Sequence, residues 1–201
     1  MTGQLNEMWS KLLVKELVHQ GVRYFCISPG SRSSPLTLAV ANHPLTETLV
    51  HFDERGMGFH GLGFAKASLS PVCLIVTSGT AVANLFPAIM EAHHAQIPLI
   101  VLTADRPPEL RGTGANQTTD QVKIFEGFTR YQVELPCPDP EIPQSFLGTT
   151  IAAAVSAAML HPRGPVHLNC MFREPLIREE SSEPTSFHAN RFPHRAQTLI
   201  S

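Results

Sequence analysis

From Gly56 to Met90 the sequence carries one charged side chain, Lys66, with histidines counted as neutral. Two helices and a strand so poor in charge cannot all face water comfortably. Part of that surface is therefore expected to be covered, by another chain or domain or by a thick core within this one. Charge is sparse throughout, at 16% of residues, with 15 basic side chains against 17 acidic ones. A net charge of −2 supplies no electrostatic footprint for nucleic acid or an anionic membrane surface. Long apolar runs are missing as well. Val72–Val76 and Ile97–Leu102 are strand-sized and far too short to cross a bilayer, so no stable membrane insertion is expected. The first residues, MTGQLNEMWSKLL, have no basic region followed by an apolar one, so no secretory signal is visible. None of the four cysteines (Cys26, Cys73, Cys137 and Cys170) lies in a C-x-x-C. Cys26, Cys73 and Cys170 fall in or beside expected strands. They read as buried reduced thiols of a cytoplasmic protein rather than as disulfides or a zinc site.

What is present is a regular alternation. Apolar residues at Trp9, Leu12, Leu13, Leu17 and Val18 predict a helix over Leu5–His19. Strands are expected at Tyr24–Ile27, Thr48–Phe52, Val72–Val76, Leu99–Thr103, Tyr131–Leu135 and Val166–Asn169. Helices are expected at Pro35–Asn42, Gly56–Ser68, Thr80–Ala92 and Pro143–Leu160, with a short helical turn at Val122–Phe128. Such βαβ units imply an α/β fold of three layers, a mostly parallel six-stranded sheet with helices on both faces. Residues 1–178 form that domain. The segment after Phe172, rich in Glu, Ser, Pro and Arg, reads as a linker or frayed tail, with 179–201 leading toward further domains.

The chemistry-bearing segments Ser28–Ser34, Asp53–Arg55, Thr77–Thr80 and Asp105–Gln117 each follow an expected strand. They should therefore share the carboxyl edge of the sheet, where open α/β folds bind ligands. Gly56–Gly61 spells G-x-G-x-x-G, yet charged Asp53-Glu54-Arg55 fills the turn and the next acid after Glu54 is Glu91. A Rossmann-type nicotinamide or flavin module is thus the weaker alternative, and the glycines with Gly63 are expected to allow close helix packing. Glu54, at a strand end and a helix start, is either a dipole partner or a carboxyl whose apolar surroundings let it hold a proton. The Ser28–Ser33 turn suits a phosphate or carboxylate, and Arg106, Asn116 and Gln117 add a second guanidinium and two amides. Two arginines at one edge suggest a substrate with two or more carboxylates. His51 stands out by position. Glu91, His93 and His94 read as surface rather than metal, so no metal ligand is expected in this chain. No G-x-S-x-G or Walker pattern is present.

Taken in order, S-P-G-S-R-S-S-P-L, H-F-D-E-R-G, V-T-S-G-T-A-V-A-N-L, L-T-A-D-R-P-P-E-L and G-A-N-Q form a specific set. Over Leu5 to Leu176 the chain resembles the N-terminal, pyrimidine-binding domain of thiamine-diphosphate enzymes. Within them it is similar to the 2-succinyl-5-enolpyruvyl-6-hydroxy-3-cyclohexene-1-carboxylate synthases of menaquinone and phylloquinone biosynthesis. The resemblance implies a transferase that decarboxylates 2-oxoglutarate and adds the product to isochorismate. It implies that Glu54 hydrogen-bonds the aminopyrimidine and acts catalytically, and that Thr77, Ser78 and Gly79 close the pyrimidine pocket. Ser31, Arg32, Arg106, Asn116 and Gln117 match residues that hold the acidic substrates. The family binds its cofactor between subunits of a homo-oligomer, so the uncharged stretch becomes an interface. Its magnesium and diphosphate sit on a G-D-G motif that this sequence does not contain. The isolated chain is accordingly expected to be inactive and to bind cofactor weakly.

Overall fold

The structure, a computed structural model, describes residues 1–178. It opens with α1 (Thr2–His19), β1 (Tyr24–Ile27), α2 (Ser34–Ala41), β2 (Glu47–Val50), α3 (Glu54–Ser68) and β3 (Val72–Val76). Then follow α4 (Thr80–Ala83), α5 (Phe86–Ala95), β4 (Leu99–Asp105), β5 (Tyr131–Leu135), α6 (Gln144–Met159) and β6 (Val166–Met171). The six strands pair in the order β2-β1-β3-β4-β6-β5, and every pairing is parallel. The expected linker or tail at residues 179–201 lies outside the described residues.

β3, β4 and β6 are buried along their whole length, which is why they read as continuous apolar runs rather than alternating ones. Their side chains still alternate between two cores. Phe25, Ile27, Cys73, Ile75, Ile100, Leu102, Val166 and Leu168 point to α1, α2 and α6. Cys26, Leu74, Val76, Leu99 and Val101 point to α3, α4 and α5. Fully buried leucines such as Leu13, Leu17 and Leu74 each contribute about 1.5–3 kcal/mol relative to exposure. The uncharged stretch is largely explained by this second core, since β3 and the inner faces of α3 and α5 supply much of it. Phe59 and Met90 remain exposed, as does Phe52 just before the stretch.

Three expectations need correction. The helix foreseen over Thr80–Ala92 is broken at Asn84 and Leu85. Pro87 has no N–H to return to Ala83, so the helical ladder is interrupted there. Val122–Phe128 forms successive hydrogen-bonded turns but no helix. Lys123 and Gly127 both take positive φ, +58° and +87°, which an α-helix cannot contain. The segment from Arg173 to Arg178 is anchored, not frayed. Buried Asn6 donates to the carbonyls of Arg173, Pro175 and Leu176 at 2.8, 3.1 and 3.2 Å, and Arg173 pairs with Glu109 at 2.6 Å.

The glycines of α3 pack as expected, except one. A Cβ at Gly61 would lie 2.5 Å from Leu74 Cδ2, and one at Gly58 would lie 2.9 Å from Ala88 Cβ. Gly63 faces open space. Gly61→Val should therefore lower unfolding free energy by about 1–3 kcal/mol through overpacking. Gly63→Ala should be neutral or raise it by up to about 1 kcal/mol through helix propensity. Urea denaturation of the two variants checks the contrast.

Candidate functional site

Parallel pairing puts the loops after β1, β2, β3 and β4 along one edge, as the sequence implied. In the order β2-β1-β3-β4 the connection leaving β1 runs to β2 on one side and the connection leaving β3 runs to β4 on the other, which opens a crevice between β1 and β3. The crevice is narrow by construction. A Cβ at Gly30 would sit 2.3 Å from Thr77 Cβ, so only glycine lets the β1 loop lie on the β3 loop. Beyond Gly30 a single 3-10 turn, Ser31–Ser33, leads into α2, with Ser33 Oγ donating to the Gly30 carbonyl at 3.0 Å.

On the β2 side Asp53 caps α3, its Oδ1 accepting the Gly56 amide at 2.9 Å. That bond holds the Asp53 carboxyl below the usual range. His51 Nδ1 accepts the Asp53 amide at 3.1 Å, and its ring lies where a Gly56 Cβ would come within 2.7 Å. Gly56, Gly58 and Gly61 thus lie within α3, facing a ring, a helix and a strand. They form no phosphate-binding turn, and the Rossmann reading fails on that geometry. Glu54 takes the first helical position. Its Oε2 accepts from Asn84 Nδ2 at 3.3 Å, a partner the break between α4 and α5 makes available. The expected apolar niche around Glu54 is not formed by this chain's own packing. Glu54 is half-exposed because β2 is the edge strand, and neighbouring Phe52 is 94% exposed.

The β3 and β4 loops lock together on Ser78. Gly79 has φ +81°, a conformation that favours glycine. Ser78 is fully buried; its hydroxyl donates to the Gln117 carbonyl at 3.2 Å and accepts from Arg106. Gln117 Nε2 returns a bond to the Ser78 carbonyl at 3.0 Å, and Arg106 also donates to the Gln117 carbonyl at 2.8 Å. Burial, then the nearby Arg32 charge, lowers the Arg106 pKa. Two guanidiniums close enough to repel concentrate positive charge at this edge. Arg32 is buried and donates to the Phe172 carbonyl at 3.0 Å and to Glu174 at 2.6 Å. Its Nε is buried without a partner. Ser31 and Asn116 are exposed. The edge therefore gathers Arg32, Arg106, Gln117, Thr77, Ser78 and Gly79, while Glu54 stands across the crevice beside Asn84.

Sequence reasoning passed over the groups beneath these loops. Thr103, Asp105, Gln121, His167 and Asn169 are all buried and mutually bonded. The clue was present in β6, where His167 and Asn169 recur at period two inside an apolar strand. Thr103 Oγ1 donates to Asn169 Oδ1 at 2.9 Å, so it accepts from His167 Nε2 at 2.8 Å. The His167 ring thus carries a proton on Nε2, and burial pushes its pKa down to about 4, which leaves the ring neutral near pH 7. Among the described residues no group of three His, Cys, Asp or Glu side chains stands close enough to hold a metal ion. Nor, among them, is any helix long and apolar enough to cross a membrane.

Residues 8–124 match the family of the thiamine pyrophosphate enzyme, N-terminal TPP binding domain. A 2-succinyl-5-enolpyruvyl-6-hydroxy-3-cyclohexene-1-carboxylate synthase of Salinibacter ruber is 52% identical over 169 residues, covering 84% of this chain and 29% of the relative. The synthase of that name from Shewanella sp. (strain ANA-3) is 53% identical over 181 residues, 90% of this chain and 31% of the relative. Protein PHYLLO, chloroplastic, of Arabidopsis thaliana is 48% identical over 188 residues, 94% of this chain and 11% of the relative. The chain spans about three tenths of the length of the bacterial curated relatives it matches.

His167 makes the fold pH-dependent in a defined window. The unfolded chain protonates this ring near 6.5, the folded one only near 4. Between those values the unfolded state binds more protons, so stability rises with pH and is lost as pH falls from 6.5 toward 4. The loss attributable to His167 should be roughly 3 kcal/mol. Chemical denaturation from pH 7 to pH 4 should show a flatter profile for His167→Gln than for the parent.

Proposed function

The chain belongs to the thiamine pyrophosphate enzymes, as their N-terminal TPP binding domain, and from that premise we propose that it is the pyrimidine-binding part of a 2-succinyl-5-enolpyruvyl-6-hydroxy-3-cyclohexene-1-carboxylate synthase. The supporting observation is Glu54. One of its oxygens is anchored by Asn84, and Oε1 has no partner among the described residues. A carboxyl at a ligand edge with one oxygen tied and one free fits the aminopyrimidine half of the cofactor.

Thiamine diphosphate, when bound, would supply the electron sink that decarboxylation of a 2-oxo acid needs. Glu54 Oε1 would share a proton with the aminopyrimidine, and Asn84, bonded to the other oxygen Oε2, orients the carboxyl group for it. Thr77, Ser78 and Gly79 close the pocket wall, and the lack of a side chain at Gly79 lets Gln117 pack against this turn, where a Cβ would lie 2.9 Å from Gln117 Cγ. Arg106 and Gln117 are already ordered on Ser78, so little entropy is lost when they meet a substrate carboxylate. Arg32 Nη2 is engaged by Glu174, whose side chain is 70% exposed. A carboxylate of 2-oxoglutarate or isochorismate takes that place by exchange, with Ser31 and Asn116 adding donors from the rim.

Magnesium and the diphosphate belong, on this reading, to residues outside those described. The exposed Phe52 and Phe59 lie on the face that a second subunit covers in a homo-oligomer. Four free buried cysteines agree with a cytoplasmic setting.

In the enzyme that carries this domain, Glu54→Gln and Glu54→Ala should each lower turnover roughly 100-fold or more, with both acidic substrates still bound. Unchanged turnover overturns the assignment. Calorimetry of the chain alone with thiamine diphosphate and magnesium should show binding weaker than micromolar, because the sequence holds no G-D-G motif.

A further inference from the structure

Gln121 lies between exposed Asp120 and half-exposed Val122, yet is itself fully buried. Burying an amide is costly unless each end is bonded, and both ends of this one are. Its Oε1 accepts the Gly79 amide at 3.2 Å. Its Nε2 donates to the Ala104 carbonyl at 3.1 Å and to Asn169 Oδ1 at 2.8 Å. Asn169 passes the connection on, Nδ2 donating to Asp105 Oδ2 at 2.8 Å. The other Asp105 oxygen accepts the Arg106 amide at 2.7 Å. An unbroken buried path thus joins the amide of Gly79 to the amide of Arg106.

The direction of each amide along this path is forced. The Asp105 carboxylate, which also faces Arg111 at 3.3 Å, only accepts. Asn169 must therefore turn its NH₂ to Asp105 and its oxygen to Gln121. Gln121 must then turn its NH₂ to Asn169 and its oxygen to the Gly79 N–H. Reversing either amide would set two acceptors or two donors against each other among buried groups, which is costly.

We propose that Gln121 and Asn169 are positioning residues, a buried relay that holds the Gly79 turn and Arg106 at a fixed mutual distance. The relay rests on the reading above for its functional meaning, since Gly79 borders the cofactor pocket and Arg106 the acidic-substrate subsite. Neither relay residue touches a ligand. Their contribution is register, so that the carboxylate held by Arg106 is presented to the cofactor in one geometry.

The test has two arms. In the full 201-residue chain, Gln121→Met keeps the volume and removes the bonds. Hydrogen exchange of the Gly79 amide should then speed up by about tenfold or more, with α6 amides unchanged. Asn169→Leu should do the same from a residue that does not touch Gly79, because it releases Gln121. Should Asn169→Leu not fold, Gln121→Met carries this arm alone. Unchanged exchange at Gly79 overturns the relay, whatever the enzyme does. In the enzyme carrying this domain, Gln121→Met should raise KM for thiamine diphosphate and for the 2-oxo acid about tenfold, with a smaller fall in kcat. Faster exchange with both KM values unmoved overturns the positioning role. Turnover that does not depend on Glu54 overturns the parent reading and leaves the exchange result standing.

Discussion

Strand β1 is held between two parallel neighbours, β2 and β3, and the rest of the domain is arranged around that constraint. Parallel strands send every chain exit to the same edge, so loops far apart in sequence become neighbours without needing affinity for one another. Because the connections leaving β1 and β3 run to opposite sides, the edge opens between them. The contact of Gly30 with Thr77 then sets how far it opens. Glu54 stands on one lip and the Ser78–Arg106–Gln117 cluster is built up from the other.

The two faces of the sheet solve the burial problem differently. Under α1, α2 and α6 the core is apolar from β1 across to β5. On the other face α3 and α5 cover β1, β3 and β4, but β6 and β5 present His167, Asn169, Gln132 and Glu134 instead. The segment following Asp105 supplies the matching groups: Arg111 pairs with Asp105 and Glu134, and Gln121 reaches Asn169. Burial alone would lower the Arg111 pKa, but these carboxylates outweigh it and raise it. Buried polar groups stabilise only when paired, and here the pairing fixes the loops that carry the candidate site. Pairing runs out at two buried atoms of the network, Arg111 Nε and Gln132 Oε1.

Much of this was legible in the residue pattern. Val72–Val76 begins and ends where its apolar run does, because a strand buried on both faces must be apolar throughout. Tyr131–Leu135, at the sheet edge, shows instead in the alternation of Tyr131, Val133 and Leu135 with Gln132 and Glu134. The shared edge followed from alternation alone. The tight packing of Gly58 and Gly61 followed from small residues on one helix. Less legible was the break at Asn84, since Pro87 stops a helix four residues upstream of itself rather than at its own position. The anchoring of Arg173–Leu176 by Asn6 was hidden because a polar residue on a mostly apolar helical face carries no periodic signal of its partner.

By itself the sequence determined the three-layer α/β architecture, the edge on which chemistry gathers and, through its ordered motifs, the family. Those features are written in local pattern, in the period of apolar residues and the residue types that follow each strand. Only the tertiary structure decided that Glu54 is half-exposed beside Asn84, that Arg32 is engaged by Glu174, and that Gln121 and Asn169 join two loops. The bonds of that relay span 42, 48 and 64 positions. The partner of a buried polar group is set by which segments the sheet brings together, and periodicity records the face a side chain occupies but not the neighbour it meets there.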